Sequence, residues 1–189
     1  MRNTRINAFL IFVLSILILS SSVPAADWSN TIAAAELDGS LYTIEKSGAL
    51  YRTSLDTGKW IQIGKSEFGN TKLMVAGPRN LFTIEKDGSL YRTAPSKGAW
   101  VRVGKAGEWR NTVAATFVGQ GLFTVESSGA MFGTNPISGQ WAQVGKSEFG
   151  RTKRMFGAPN LIYTIETDGS LYLVSPTSGA WSRVGEAGA

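Results

Sequence analysis

Downstream of residue 26 the apolar and polar positions alternate in short runs, and no stretch holds the 3.6-residue spacing of a helix. The alternation is clearest in "LYTIEKSGALYRT" (41–53), "LFTIEKDGSLYRT" (81–93), "LFTVESSGAMFGT" (122–134) and "LIYTIETDGSLYLV" (161–174). In each, two runs flank a Ser-Gly or Asp-Gly pair, the pattern of a tight β-hairpin. Gly48, Gly88, Gly129 and Gly169 are turn residues first of all, because glycine reaches positive φ without steric cost. After each hairpin comes a run from tryptophan to glycine: "WIQIG", "WVRVG", "WAQVG", "WSRVG". Before each lies a run rich in small residues: "IAAAEL", "MVAG", "VAAT", "MFGAP".

Trp60, Trp100, Trp141 and Trp181 recur at intervals of 40, 41 and 40 residues, so the chain is a repeat of four units with four short strands each. A unit of that size is one propeller blade, and the expected fold is an all-β, four-bladed β-propeller of four-stranded antiparallel sheets. The repeats fall at about 28–67, 68–108, 109–148 and 149–189. The small-residue run is expected innermost, where blades crowd the axis. The alternation of the Trp-to-Gly run predicts a strand covered on two faces, with its four tryptophans packed in the core between blades.

The linkers alternate in type. "GKSEF" precedes Phe68 and Phe149, whereas the longer "GKAGEW" precedes Trp109. A linker of the second type is therefore expected before Trp28, and "GEAG" at 185–188 supplies its like at the other end of the chain. The stretch "ADWSNTIAAAELDG" (26–39) resembles "GEWRNTVAATFVGQG" (107–121) because the repeats form a ring cut at one point. Closure within one chain gives a four-bladed ring; closure between two chains at the same seam gives one eight-bladed ring.

The first 25 residues have the layout of a secretory signal peptide: basic Arg2 and Arg5, an apolar run at 8–19, and small residues Val23 and Ala25 before the expected cleavage point. The reading is a cleaved signal peptide (1–25) and a single propeller domain (26–189), secreted or periplasmic, with no membrane span after cleavage. The chain has no cysteine, so neither a disulfide nor a cysteine-linked lipid is available and the core alone must hold the fold. The net charge of +5 includes Arg2 and Arg5 and is spread along the chain, which argues against nucleic acid as a partner. With no histidine and no cysteine, most transition-metal sites and nucleophile–base pairs are excluded.

The string "VG-KAGEW-RNT…GLFTVESSGAMFGTNP…W-x-x-VG" resembles the tachylectin and tectonin group of propeller lectins over nearly all of residues 26–189. That resemblance implies sugar sites in clefts or loops between blades, with the linker tryptophan falling on Trp28 and Trp109; the chain departs from it at Phe68 and Phe149. Two residues beyond these aromatics stand Asn30, Asn70, Asn111 and Arg151. An aromatic face beside an amide or guanidinium suits a sugar, whose C–H groups stack and whose hydroxyls bond. The same asparagines could equally organise the turn before the inner strand.

Glu45, Glu85, Glu126 and Glu166 recur after Thr-Ile or Thr-Val. A ring of carboxylates could hold a hard cation, and a pair could serve a glycosidase. Solvated or backbone-bonded carboxylates at strand ends fit better, because repeats make environments alike whereas catalysis needs them unlike. Thr43, Thr83, Thr124 and Thr164 read as strand formers. The expectation is a secreted lectin-like module that is not an enzyme, takes no cofactor or metal, and meets glycans or glycoconjugates as a monomer or homodimer. A protein-interaction scaffold is the alternative and a hydrolase the third choice.

Overall fold

The computed structural model describes residues 28–185. The leader at 1–25 and the expected junction residues 26–27 and 186–189 lie outside the described residues. Sixteen strands, and no helix among the described residues, make four antiparallel sheets in a β-propeller arrangement. Blade 1 comprises β1 (Thr31–Leu37), β2 (Ser40–Glu45), β3 (Leu50–Ser54) and β4 (Trp60–Ile63). Blade 2 holds β5 (Thr71–Ala76), β6 (Leu81–Glu85), β7 (Leu90–Thr93) and β8 (Trp100–Val103). Blade 3 is built from β9 (Thr112–Val118), β10 (Gly121–Glu126), β11 (Met131–Thr134) and β12 (Trp141–Val144). Blade 4 consists of β13 (Thr152–Ala158), β14 (Leu161–Glu166), β15 (Leu171–Val174) and β16 (Trp181–Gly185).

Each blade is a meander in sequence order. The small-residue runs β1, β5, β9 and β13 are the inner strands, and successive ones pack on each other, since short side chains allow that approach. The expected hairpins pair Ile44 with Leu50, Ile84 with Leu90, Val125 with Met131 and Ile165 with Leu171. Gly88 shows why the turn needs glycine: its φ is +84°, and an added Cβ would strike the backbone of Arg110 in the next blade. The Gly88 carbonyl accepts the Trp109 N–H at 3.0 Å, and the same bond runs from Phe68 to Gly48 and from Phe149 to Gly129.

The core lies in the seams between consecutive blades. At the first, Tyr42, Ile44, Leu50 and Ile63 of blade 1 meet Phe68, Met74 and Leu81 of blade 2. Phe82, Ile84, Leu90 and Val103 meet Trp109 and Leu122 at the second; Val125 and Met131 meet Phe149, Met155 and Ile162 at the third. Among the described residues no comparable cluster joins blade 4 to blade 1.

The four repeat tryptophans are not in these seams, contrary to the sequence expectation. Trp100, Trp141 and Trp181 are about half exposed and Trp60 is only partly buried. They sit on the outermost strand of each wedge, where neighbouring blades diverge, and each packs on an aromatic ring of its own blade. The ring centroids lie 4.4 Å apart for Tyr51–Trp60, 4.9 Å for Tyr91–Trp100, 5.0 Å for Phe132–Trp141 and 5.1 Å for Tyr172–Trp181.

Candidate functional site

One cleft is repeated in all four blades, on the face of the sheet that carries the outer tryptophan. Its construction starts with the inner strand. A bulge after the first threonine of each inner strand shifts the register, so that Thr31, Thr71, Thr112 and Thr152 oppose Glu45, Glu85, Glu126 and Glu166. In blades 1, 2 and 4 the threonine hydroxyl donates to the glutamate at 2.8–2.9 Å. Glu45, Glu85 and Glu166 are therefore bonded to a side chain 14 residues upstream, a partner that sequence reading did not foresee. Burial pushes the Glu85 carboxyl above its usual range, and the Thr71 hydroxyl opposes that shift. Each glutamate lies in its own blade, and among the described residues no group of three or more His, Cys, Asp or Glu gathers as a metal site would require.

The outer wall is the tryptophan with its ring partner. In blades 2 and 4 a linker carboxylate fixes the indole: Trp100 Nε1 donates to Glu67 Oε2 at 3.2 Å, and Trp181 Nε1 to Glu148 Oε2 at 2.9 Å. Blade 3 differs because its linker is longer. There Glu108 turns back to accept the Lys105 N–H at 2.8 Å.

The sizes of the clefts follow from these differences. Blade 2 has the largest, about 420 Å³, between Phe68, Asn70, Glu85, Asp87, Tyr91 and Trp100. In blade 4 Arg151 stands where blade 2 has Asn70, and its guanidinium reaches Asp168 at 3.1 Å, leaving about 110 Å³. The Ser170 N–H and hydroxyl, with Arg151 adding to them, hold Asp168 below the usual carboxylate range. In blade 3 about 20 Å³ remains. Blade 1 offers about 280 Å³ beside Asn30, Glu45, Tyr51 and Trp60.

The linker aromatics stand apart from the expected pattern. Trp109 is only 3 % exposed, and Phe68 and Phe149 are equally buried, whereas Trp28 is 47 % exposed. Trp28 and Trp109 therefore do not form an exposed pair of equivalent platforms, because the linker aromatic inserts into the seam with the preceding blade. Phe68 and Phe149, at the departures from the lectin pattern, floor two of the clefts. The backbone carbonyls of Asn30, Asn70, Asn111 and Arg151 accept N–H groups of the hairpin turns, at Lys46, Lys86, Ser127 and Thr167. Their side chains are exposed; those of Asn30, Asn70 and Arg151 line clefts, and that of Asn111 does not.

Sequence reasoning missed the outer Trp–Tyr pair and Glu67 and Glu148. The signal was present: the ring of Tyr51, Tyr91, Phe132 or Tyr172 recurs with the tryptophan's period and lies on the same sheet face as its diagonal neighbour.

This geometry defines a β-propeller with one side-facing cleft per blade. No family model matches the sequence, and no curated protein matches it. Among solved structures it is similar to the computationally designed Ika4 protein (13 % identity, TM-score 0.58, covering 79 % of this chain and 93 % of that one). The computationally designed Ika8 protein matches with the same identity, TM-score and share of this chain, but over 47 % of its own length. PorZ, a bacterial surface component of the type-IX secretion system of Porphyromonas gingivalis, is 14 % identical with a TM-score of 0.54, over 83 % of this chain and 21 % of that one. At these identities the likeness is one of fold.

Proposed function

We propose that the protein is a secreted carbohydrate-binding module whose ligand sites are the clefts of the blades, foremost those of blades 2 and 4. The observation that carries the reading is the Trp100–Tyr91 corner over Asn70, Glu85 and Asp87, with the indole held by Glu67. A fixed, half-exposed indole stacks on the apolar face of a pyranose at little entropic cost, while amide and carboxylate groups bond to its hydroxyls. The resemblance to tachylectin and tectonin repeats points the same way.

Binding is favoured over hydrolysis because the repeats set their carboxylates alike: Glu45, Glu85 and Glu166 each accept from the first threonine of the inner strand, whereas a hydrolase needs two carboxylates in unlike surroundings. The test is a glycan array on the purified protein beside Trp100→Ala. Selective retention that the variant loses while staying folded is expected, and an array without selective binding rejects the reading.

A further inference from the structure

Blades 1 and 4 each turn toward solvent the half of a seam that its equivalents bury. On blade 4, Val184 is 56 % exposed and Tyr163, Ile165 and Leu171 are only partly covered. Their counterparts Ile63, Tyr42, Ile44 and Leu50 are buried in the first seam. On blade 1, Trp28, Ala34 and Leu41 are uncovered or partly so, whereas Phe68, Met74 and Leu81 are buried.

Two backbone contacts repeat the pattern. A Cβ added to Gly98, Gly139 or Gly179 would lie 2.5–3.1 Å from the Cα of Gly64, Gly104 or Gly145 in the preceding blade. The fourth pair is Gly185 and Gly58; among the described residues a Cβ on Gly58 would meet nothing within 4 Å, and one on Gly185 only Leu171. The N–H bond from linker aromatic to hairpin glycine, made three times, is absent between Trp28 and Gly169 among the described residues.

The two free faces also match in kind. Phenylalanine linkers go with methionine on the inner strand (Phe68 with Met74, Phe149 with Met155), and Trp109 goes with Ala115. Blade 1 carries Trp28 with Ala34, the second type. The preceding blade follows suit: Gln62 and Gln143 hold the linker serines Ser66 and Ser147, while Arg102 leads to Trp109. Blade 4 carries Arg183, again the second type.

We propose that the free face of blade 4 receives blade 1 of a second copy, and the reverse, so that two chains close one eight-bladed ring. The occupant follows from continuity with the seams already built: a second copy repeats the same contact twice about a two-fold axis and leaves no face over. Among the described residues the three packed seams leave blades 1 and 4 without a comparable contact, and closure within one chain would have to repack them. Neither argument depends on the ligand of the clefts.

The test is the native mass of the full chain, produced with its leader, against the denatured mass of the same preparation. The expected ratio is two; one, or an open series of multiples, overturns the ring. Leu41→Arg, on the free face of blade 1, is expected to halve the native mass with the β spectrum retained; a variant that keeps the doubled mass overturns the assigned seam. Copies carrying two different affinity tags, unfolded and refolded together, are expected to be recovered together on either tag. Recovery of each tag alone overturns the proposal in favour of the four-bladed ring.

Discussion

At the scale of the residue, two tryptophans of one blade boundary have opposite roles. Trp109 is buried in the seam beneath Gly104, where an added Cβ would lie 2.6 Å from the indole. Trp100 is 45 % exposed at the rim of a cleft. Trp109→Ala is expected to lower stability by about 3–5 kcal/mol, the cost of emptying a packed aromatic site. Trp100→Ala keeps the seams, so its cost is expected near ~1 kcal/mol, the worth of an aromatic pair, while it removes cleft binding. Denaturant midpoints for the two variants check the contrast, and similar shifts would refute it. Glu85 adds a pH dependence. Its carboxyl titrates above the usual range in the folded chain, so between the unfolded and folded values the native state binds more protons. Stability is therefore expected to fall as pH rises from about 4.5 through the folded value, and Glu85→Gln to remove that fall. Urea midpoints over that range measure it.

At the scale of the element, blades alternate because a linker and the strand it enters are fitted to each other. Met74 fills beside Phe68 what the larger Trp109 leaves to Ala115 in the next blade. Phe68→Trp alone is expected to overpack the first seam at about 1–3 kcal/mol. Combined with Met74→Ala it should recover part of that loss, and a double-mutant cycle that shows no coupling would disprove the fit. Arg151 sets the cleft of blade 4 in the same local way. Arg151→Asn removes the ion pair with Asp168 and is expected to strengthen ligand binding there toward that of blade 2, with little effect on stability because the pair is exposed. Titration of indole fluorescence in a background with Trp60→Phe, Trp100→Ala and Trp141→Phe, where Trp181 is the outer indole left, reads that site.

At the scale of the whole molecule, equivalent clefts on successive blades present several sites to one surface. Loss of Trp100 and Trp181 together is therefore expected to weaken retention on a multivalent glycan surface by more than the product of the single losses, since avidity requires two engaged sites. Monovalent sugar should show only the independent loss of each site, and the comparison of the two readouts tests the effect.

The hairpins, the turn glycines, the four-unit repeat and the inner place of the small-residue runs were all legible in the sequence. Each depends on local geometry: alternation sets the two faces of a strand, glycine sets a turn, and spacing counts blades. The two kinds of linker were legible for the same reason. What only the tertiary structure decided is radial position. "WVRVG" alternates like a buried strand, yet β8 is the outer edge of a wedge that widens from the axis, so Trp100 faces a cleft while Trp109, a few residues on, fills a seam. A strand's own sequence states which side chains share a face. Which neighbour that face meets, and at what distance from the axis, is fixed by the packing of one blade on the next.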